Sequence, residues 1–302
     1  MASLQALRSV VGVIRAPFLL LALVPAIVVA TEAQILGLPT NFAVIGAGLL
    51  LCVLAHVAVN ALNEYQDFTS GLDFLTQRSP FNGGSGALVA APQHAKLALK
   101  IGLAALILVL VGGYLIASLG SVRTYVLGGI GLIIIVSYTR WLTKRPILCL
   151  IAPGFAFGPI MILGMADIYG VPWTANVLLQ AFVLCCLVSC LLLINQIPDR
   201  EADEKVGRRH WVIAYGVSSA CWVCNGLNYL CFAAIGFYWI VDLLPIYSAI
   251  ALAPLLYQYA TPEEWVKAAA SPGGLIPFQQ AQVLRCLSVP LLLAAVTLIS
   301  AT

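Results

Sequence analysis

Two short stretches of this sequence carry acidic residues in a repeated arrangement. Asn63 and Asp67 are four residues apart, and Asn195 and Asp199 repeat that spacing 132 residues later. Residues i and i+4 lie on one face of an α-helix, so each stretch would present its amide and carboxylate groups in one direction. Two such faces opposite each other would form a cup of oxygen ligands. The predicted metal ligands are these four residues and one further acid from each stretch: Asn63, Asp67, Asp73, Asn195, Asp199 and Asp203.

These oxygen ligands favour Mg²⁺ binding. Mg²⁺ is a hard cation that keeps several water ligands and commonly shares its coordination shell with substrate phosphates. Two acidic clusters that face one diphosphate would hold two such ions. Pro198 would weaken the helix around the second stretch, and Gly71 would end the helix after the first. A solvated helix end is the alternative interpretation, but it does not explain the repeated spacing. The acids predicted to be catalytic are Asp67, Asp73, Asp199 and Asp203.

Basic residues and a glycine-rich run accompany these acids. Lys144, Arg78 and Arg208 could neutralise a leaving diphosphate. We predict that Lys144 acts in catalysis and that the two arginines bind substrate, although each could instead set the membrane orientation. The run from Phe81 to Gly86 is either a phosphate cradle built from backbone N–H groups or a flexible lid.

A polar stripe follows the same helix as the first acidic stretch. His56, Asn60, Asn63 and Asp67 are separated by four, three and four residues, which places them on one side of a helix. Polar groups inside a membrane span usually face a cavity. His56, Asn60 and Asn63 are therefore candidate substrate-binding residues, and Asn195 in the second acidic stretch is another. For His56, a hydrogen bond to a neighbouring helix is an equal alternative.

The composition places these residues in a membrane protein. Of 302 residues, 62% are hydrophobic and only 9% are charged, whereas an ordinary soluble domain is about 25% charged. The net charge of +3 is too small for a nucleic-acid-binding surface, so no nucleic-acid partner is expected. The expected surroundings are a lipid bilayer.

Apolar runs predict an all-α fold, a polytopic bundle of nine transmembrane helices around a central cavity. If the N-terminus is cytoplasmic, 14 of the 15 basic residues lie beside cytoplasmic segments and only Arg123 lies opposite. Cytoplasmic loops carry such an excess, so the N-terminus and both acidic stretches are predicted to be cytoplasmic. The predicted spans are about 10–31, 41–63, 95–118, 122–139, 147–168, 174–197, 210–236, 240–260 and 280–300.

The chain is expected to be a single domain, residues 1–302, built from two related halves. The two Asn-x-x-x-Asp stretches end spans that are four helices apart. This repetition predicts a four-helix half over about 10–139, a second half over about 147–260, and an additional ninth helix over about 280–300.

At these residues the sequence resembles the UbiA superfamily of intramembrane prenyltransferases. The signature of that family is two Asp-rich motifs at the cytoplasmic ends of the second and sixth of nine transmembrane helices. The first motif, from Asn63 to Asp73, has the longer spacing found in the branch of naphthoate prenyltransferases of menaquinone synthesis. Phe157, Gly158 and Pro159 are also typical of that branch. The resemblance covers essentially the whole chain.

The sequence departs from the family pattern at two places. Many members carry Tyr-x-x-x-Lys after the fourth span, whereas Tyr138 and Lys144 are six residues apart here. Tyr138 remains a candidate substrate-binding residue. The naphthoate branch commonly has an acid shortly before its Phe-Gly-Pro, whereas residues 148–151 are apolar here. The resemblance therefore supports the diphosphate half of the reaction better than the acceptor half.

The resemblance implies a Mg²⁺-dependent enzyme that ionises an isoprenyl diphosphate and transfers the prenyl group to a lipophilic acceptor. An aromatic precursor of a quinone is the common acceptor in the family. A terpene cyclase on the same scaffold is the alternative, and the missing acid before Phe157 favours it. A transporter or lipid-binding protein is a third interpretation, but the acids lie at helix ends and not near the bilayer midplane.

Overall fold

A computed structural model describes residues 2–39, 41–257 and 260–301, with side chains described from residue 5 onward. Within those residues the chain forms helices and no strand, which confirms the all-α prediction. The α-helices are α1 (Ala2–Val13), α2 (Leu23–Ile35), α3 (Phe42–Thr69), α4 (Ala87–Ala90), α5 (Ala95–Ala117), α6 (Val122–Ser137), α7 (Pro146–Phe155), α8 (Gly164–Tyr169), α9 (Ala175–Asn195), α10 (Arg200–Lys205), α11 (Trp211–Ile240), α12 (Ala253–Leu256), α13 (Pro262–Ala269) and α14 (Ile276–Ala301).

Shorter helical segments join several of these helices. A π-helical segment, Ala156–Leu163, makes α7 and α8 one continuous span. Pro153 and Pro159 lie inside this span, and each lacks the N–H that a regular α-helix would use. The 3₁₀ segments are Ala16–Ala22, Leu72–Phe74, Pro92–His94, Leu142–Lys144 and Ile246–Leu252.

Seven helical segments among the described residues are long and apolar enough to cross a membrane. The predicted fourth and eighth spans correspond to shorter apolar helices, Val122–Ser137 and Ile246–Leu256. Two residues of the predicted eighth span, 258 and 259, lie outside the described residues. The protein is a polytopic helical membrane protein, and the count of nine spans stays a prediction. The seven long segments are Gln5–Ile35, Phe42–Thr69, Pro92–Ala117, Pro146–Tyr169, Ala175–Asn195, Trp211–Ile240 and Ile276–Ala301.

Helix α9 lies at the centre of the bundle and contacts α7, the π segment, α11 and α14. Most of its side chains are buried. Close approach to α9 requires glycine on the neighbouring span, because a Cβ atom at Gly154 would lie 2.1 Å from the backbone oxygen of Cys185. A Cβ atom at Gly158 would lie 2.2 Å from that of Ala181. The glycine of the Phe-Gly-Pro motif therefore serves helix packing, since no larger residue fits there.

The two acidic stretches end helices that pack in different parts of the bundle. Helix α3 packs mainly against α5, whereas α9 packs against α7, α11 and α14. Helix α3 ends beside the end of α6, where Asn63 contacts Thr139. The segment after α9 reaches the same place, because Arg208 contacts Asp67 on α3. The fold thus brings two motifs that are distant in sequence to one end of the bundle.

Candidate active site

The first acidic stretch lies on the last turns of α3, which stays helical through Thr69. Asn63 and Asp67 are on one helix, as their spacing predicts. Asn63 donates from Nδ2 to Thr139 Oγ1 at 3.1 Å and accepts from the Arg15 guanidinium at 3.4 Å. Glu64, on the same turn, is fully buried and accepts from Arg15 Nε at 2.9 Å. The end of α3 therefore holds three oxygen-bearing side chains, and Arg15 binds two of them.

The second stretch has a different backbone from the first. Helix α9 ends at Asn195, a turn that includes Pro198 follows, and Asp203 lies on the separate short helix α10. The expectation that Asn195 and Asp199 share one face of a continuous helix is therefore wrong. Asp199 instead precedes α10, and its backbone oxygen accepts from the Asp203 N–H at 2.9 Å. Proline has no backbone N–H to continue the α9 hydrogen-bond ladder. Asn195 is the last residue of α9, and its Oδ1 accepts from Gln279 Nε2 at 3.2 Å.

Arg208 joins the two stretches. Its Nη1 atom lies 2.8 Å from Asp203 Oδ1, and its Nη2 atom contacts Asp67 Oδ1. The second oxygen of Asp203 lies 3.0 Å from Nε2 of His210, which is almost fully buried. A planar guanidinium with several donors suits this bridging role, because one side chain can bind two carboxylates in fixed directions.

The glycine-rich run closes over the acids. Asn82 Nδ2 and the Gly83 backbone N–H donate to Asp199 at 3.0 and 2.9 Å. Ser85 donates to Glu64 from its backbone N–H at 2.8 Å and from its hydroxyl at 2.7 Å. Gly84 has a φ of +70°, and a Cβ atom there would lie 2.8 Å from Asp73 Oδ1. This run connects carboxylates of both stretches, and its backbone conformation and close approach require glycine.

Negative charge exceeds positive charge among the side chains that meet where the two stretches come together. Glu64, Asp67, Asp73, Asp199 and Asp203 form what we call the acidic cluster. Three arginines reach it: Arg15 and Arg208 through ion pairs, and Arg78 through the Asp73 backbone oxygen. Five carboxylates thus share three guanidinium groups. A divalent cation would balance the remaining charge.

Within the acidic cluster, Asp73 is the carboxylate with the fewest partners. It is buried, and its Oδ2 atom has no hydrogen-bond partner. Burial, followed by the negative charges of Glu64 and Asp67, raises the pKa of Asp73 to about 7. Burial also raises the pKa of Asp199. Both shifts disfavour the ionised carboxylates, so a bound cation would stabilise them.

The donor set of the acidic cluster fits Mg²⁺. In the described part of the chain, no three His, Cys, Asp or Glu side chains converge as a preassembled metal site. Mg²⁺ does not require such a site, because it commonly takes one or two carboxylates and completes its shell with water and substrate phosphates. The unpartnered oxygen of Asp73 and the half-buried carboxylate of Asp199 are the atoms best placed to bind one.

A cavity of about 440 Å³ begins beside the acidic cluster and extends along the membrane spans. Its polar end is lined by Arg15, Asn60, Asn63 and Tyr138. Its walls are mostly apolar side chains from α3, α5, α6 and the span formed by α7, the π segment and α8. The cavity therefore has one charged end and one long apolar part.

The sequence also matches a known protein family. Residues 18–262 match the UbiA prenyltransferase family. The chain belongs to that family.

One curated relative of this UbiA protein is a 1,4-dihydroxy-2-naphthoate octaprenyltransferase from Bacillus subtilis (strain 168). The two chains are 29% identical over 205 residues, which cover 66% of this chain and 61% of the relative. The match thus spans less than two thirds of the relative's length.

Solved structures share the fold at low sequence identity. A digeranylgeranylglyceryl phosphate synthase is similar with a TM-score of 0.67 and 14% identity, over 97% of this chain and 99% of that one. A UbiA homologue from Archaeoglobus fulgidus, bound to DMAPP and Mg²⁺, has a TM-score of 0.62 and 16% identity, over 95% and 99% of the two chains. A UbiA homologue from Aeropyrum pernix K1 has a TM-score of 0.65 and 16% identity, over 93% and 98%.

The UbiA fold does not bring every predicted site residue to the acidic cluster. Lys144 is exposed and, among the described residues, has no ion pair or hydrogen bond with a carboxylate. It lines a small surface pocket with Arg145 and Arg209. Asn195 accepts a hydrogen bond from Gln279, and its side chain has no hydrogen bond to an acid of the cluster among the described residues. The six-residue spacing after Tyr138 and the 3₁₀ segment that contains Lys144 explain why that side chain points elsewhere.

The polar stripe on α3 faces the cavity, as its spacing predicts. Asn60 lines the cavity and donates to the Ile14 backbone oxygen at 3.0 Å. His56 also lines it, and its ring packs edge-on against Phe157 with centroids 5.0 Å apart. Tyr138 lines the same cavity, and its hydroxyl lies 4.0 Å from Cys149 Sγ. These three predicted substrate-binding residues therefore share one space.

Several residues of this site were not among the predicted ones: Arg15, Glu64, Asn82 and His210. Arg15 follows α1 with a positive φ of 50° and reaches back to Glu64. A charged residue inside an apolar run could have indicated such a buried partner. Glu64 follows Asn63 directly, so it lies off the helical face that the i, i+4 spacing of Asn63 and Asp67 defines. Asn82 belongs to the glycine-rich run, but its contact with Asp199 spans 117 residues of sequence and follows no local spacing. His210 lies seven residues after Asp203 and reaches it across the turn that follows α10.

Proposed function

We propose that this protein is a Mg²⁺-dependent prenyltransferase that binds an isoprenyl diphosphate at the acidic cluster and transfers its prenyl group to an aromatic acceptor. The observation that carries this proposal is that five carboxylates lie beside the polar end of an apolar cavity of about 440 Å³, joined to it by Arg15, which lines the cavity and pairs with Glu64. A diphosphate needs cations and polar donors, whereas a prenyl chain needs apolar walls. Both requirements meet at one point in this molecule.

The diphosphate half of the proposal assigns roles to the two acidic stretches. Asp67, Asp73, Asp199 and Asp203 are the proposed metal-binding acids, with the amide oxygen of Asn63 as a further ligand. Asn195 would join them only by exchanging its hydrogen bond from Gln279 for a metal contact. We propose two Mg²⁺ ions, one for each stretch. When bound, Mg²⁺ would supply positive charge that stabilises a leaving diphosphate. Mg²⁺ is present with DMAPP in the Archaeoglobus homologue and with GPP in a second structure of it.

The arginines and the glycine-rich run would hold the diphosphate in place. Arg208 and Arg78 lie at the acidic cluster and would release part of their carboxylate and backbone contacts to bind phosphate oxygens. Asn82 and Gly83, which donate to Asp199, are the donors nearest to a phosphate bound there. Charge stabilisation by fixed donors is worth most where water is excluded.

The apolar part of the cavity would exclude water from the carbon skeleton during ionisation. Water would otherwise capture the allylic cation as an alcohol. Phe157 and Tyr138 line the cavity near its polar end. Their ring faces would attract the cation through the negative π surface. Transfer is completed when an electron-rich acceptor carbon forms the new bond to the prenyl carbon and then loses its substituent proton or carboxyl group.

The proposed acceptor is an aromatic, naphthoate-like molecule, as the name of the Bacillus relative suggests. His56 is the proposed acceptor contact. It lines the cavity, it is buried, and its Nδ1 atom has no hydrogen-bond partner. A phenolic hydroxyl could donate to this nitrogen. The acid that precedes Phe-Gly-Pro in the naphthoate branch is absent here. His56, which packs against Phe157, would supply a polar group beside that motif in its place.

We further propose that the acidic cluster faces the cytoplasm. This orientation rests on the basic residues, 14 of 15 of which lie at that end if nine spans cross the membrane. The single domain of two four-helix halves and an appended ninth helix remains part of the same proposal. Tagging the loop around Gly120 and the loop around Lys205 and labelling intact cells would test it. Labelling of the Lys205 tag from outside would contradict the orientation.

The function is tested with purified protein, Mg²⁺ and geranylgeranyl diphosphate, with and without 1,4-dihydroxy-2-naphthoate. We expect a prenylated naphthoate only when both substrates and Mg²⁺ are present, measured by mass spectrometry. An Asp199→Asn variant serves as the inactive control. A cyclic hydrocarbon or alcohol formed without acceptor would instead identify a terpene cyclase. Equal diphosphate release by wild type and the Asp199 variant would reject both enzyme proposals.

A further inference from the structure

A second concave site lies at the same end of the bundle, outside the acidic cluster. It has a volume of about 390 Å³ and is lined by Lys144, Arg145, Pro146, Arg209, Ala214 and Tyr215. We call it the basic pocket. It shares no lining residue with the large cavity. From its charge and its position we infer that the basic pocket binds the phosphate headgroup of an anionic membrane phospholipid.

The pocket is assembled by a contact between two loops. Arg209 donates its backbone N–H to the Thr143 backbone oxygen at 2.9 Å, which joins the segment after α10 to the segment before α7. Thr143 is buried and anchors this junction. Arg208 and Arg209 point to opposite sides of it, since Arg208 binds the acidic cluster and Arg209 lines the basic pocket. The loop contact therefore fixes the spacing of the three basic residues.

The positive charge in the basic pocket has no internal counterion. Among the described residues, neither Lys144, Arg145 nor Arg209 forms an ion pair with a carboxylate. The pocket lining contains no acid. Arg145 also precedes α7, whose first turn adds partial positive charge to the same space. Three cations around a concavity repel one another unless an anion lies between them.

The surroundings of the basic pocket favour a lipid as the source of that anion. Trp141 is 63% exposed and Tyr215 is 54% exposed, and aromatic side chains of this kind concentrate at the level of lipid headgroups. Ile147 and Leu148, directly after the pocket residues, are 57% and 51% exposed. These apolar side chains would contact acyl chains while the basic residues bind the phosphate. Basic pockets at the cytoplasmic side of membrane helices bind anionic headgroups.

Charges that only set membrane orientation do not need to converge on a concavity. Arg8, Lys96 and Lys100 supply a comparison, because they are exposed and basic and none of them lines the basic pocket. Neutralising three charges in each place changes the net charge equally. The two triple variants therefore separate specific headgroup binding from general attraction to an anionic surface.

The experiment measures thermal unfolding of delipidated protein in detergent micelles that contain phosphatidylglycerol or phosphatidylcholine. We expect phosphatidylglycerol to raise the Tm of wild type and of R8Q/K96Q/K100Q more than phosphatidylcholine does. In K144Q/R145Q/R209Q, the apparent affinity for phosphatidylglycerol should fall about 100-fold. If that variant does not fold, the single variants K144Q and R209Q should each weaken the affinity about fivefold.

Three results would overturn the inference. The first is an equal loss of affinity in the R8Q/K96Q/K100Q control, which would indicate nonspecific attraction. The second is an equal effect of phosphatidylcholine. The third is a Tm increase with inorganic diphosphate that the basic-pocket variants remove while their response to phosphatidylglycerol is unchanged. That third result would make the pocket a site for a soluble phosphate.

Discussion

Both ends of the helix bundle hold carboxylates, but their surroundings differ. Asp167 accepts hydrogen bonds from the Ser121 backbone N–H at 2.8 Å, the Ser121 hydroxyl at 2.7 Å and the Thr124 hydroxyl at 2.5 Å. Arg123 lies 3.6 Å from its second oxygen. At the other end, the buried Oδ2 atom of Asp73 has no partner. One carboxylate is fully satisfied by the protein, and the other is not.

Glu32 repeats the pattern of Asp167. It is buried and accepts from Thr174 Oγ1 at 2.5 Å and Asn176 Nδ2 at 2.6 Å. Neutral donors fix a single carboxylate in place without further charge. The acidic cluster instead brings five carboxylates together with three arginines. Burial of an acid therefore does not identify a site, whereas crowding of acids without enough partners does.

The largest expected effect is a loss of turnover when an acid of the acidic cluster is neutralised but not when Asp167, at the other end, is neutralised. Asp67→Asn and Asp199→Asn should lower the turnover of prenyl diphosphate about 10²- to 10³-fold, because each removes charge that stabilises the leaving group. Asp167→Asn should keep turnover within a few-fold, because its partners hold a helix junction. Steady-state kinetics on the three variants measures this. Equal losses at Asp167 and Asp67 would remove the functional distinction between the two ends.

The second expected difference is in stability, between variants of Arg208 at the acidic cluster and of Arg123 at the other end. Arg208→Gln leaves Asp67 and Asp203 without their shared cation, and breaking a buried pair costs about 3–5 kcal/mol. Arg123→Gln should cost about 0–1 kcal/mol, because its side chain is 56% exposed. Thermal unfolding in one detergent compares the two. A larger destabilisation from Arg123→Gln would show that Arg208 is dispensable for packing.

A ligand that fills the acidic cluster should stabilise the folded state. Mg²⁺ with inorganic diphosphate at 100 times its Kd should add about 2.7 kcal/mol to wild type. Asp167→Asn should respond in the same way, whereas Asp199→Asn should respond little. EDTA should reverse the effect. An undiminished response in Asp199→Asn would argue that the ions bind elsewhere.

Two glycines with positive φ allow a matched comparison of the ends. Gly84 has φ +70° and lies against Asp73, whereas Gly170 has φ +76° and a Cβ atom there would meet nothing within 4 Å. Alanine at either position should cost about 1 kcal/mol of backbone strain. Only Gly84→Ala should also displace the Asp73 carboxylate and lower turnover, on the order of tenfold. A similar kinetic loss in Gly170→Ala would point to strain alone.

The smallest expected effect is a dependence of stability on pH without Mg²⁺. The folded-state pKa of Asp73, about 7, is above its unfolded value, so the folded protein binds this proton more tightly. The stabilisation is complete below about pH 4 and is lost as pH rises toward 7. Asp73→Asn should flatten the decline in Tm between pH 5 and 8, and Asp167→Asn should not. An unchanged slope in Asp73→Asn would assign the dependence to another group.

Local sequence patterns were sufficient for much of the fold. A long apolar run can form a stable helix in a bilayer without partners from elsewhere in the chain, since the helix satisfies its own backbone hydrogen bonds. Hence the seven long spans follow from composition. The i, i+4 spacing also placed Asn63 and Asp67 on α3, because that helix has no break. The same spacing failed around Pro198, where α9 ends and Asp199 precedes a separate short helix.

Residue types and spacing therefore determined the membrane setting, the family and the two acidic stretches. Tertiary structure alone decided which cations reach those acids: Arg15 and Arg208 bind them, whereas Lys144 lies in the basic pocket. It also decided that Asp167 is satisfied and Asp73 is not. The physical reason is the distance along the chain over which each effect acts. Hydropathy and helical spacing act within a few turns, whereas charge balance depends on side chains brought together from distant parts of the chain.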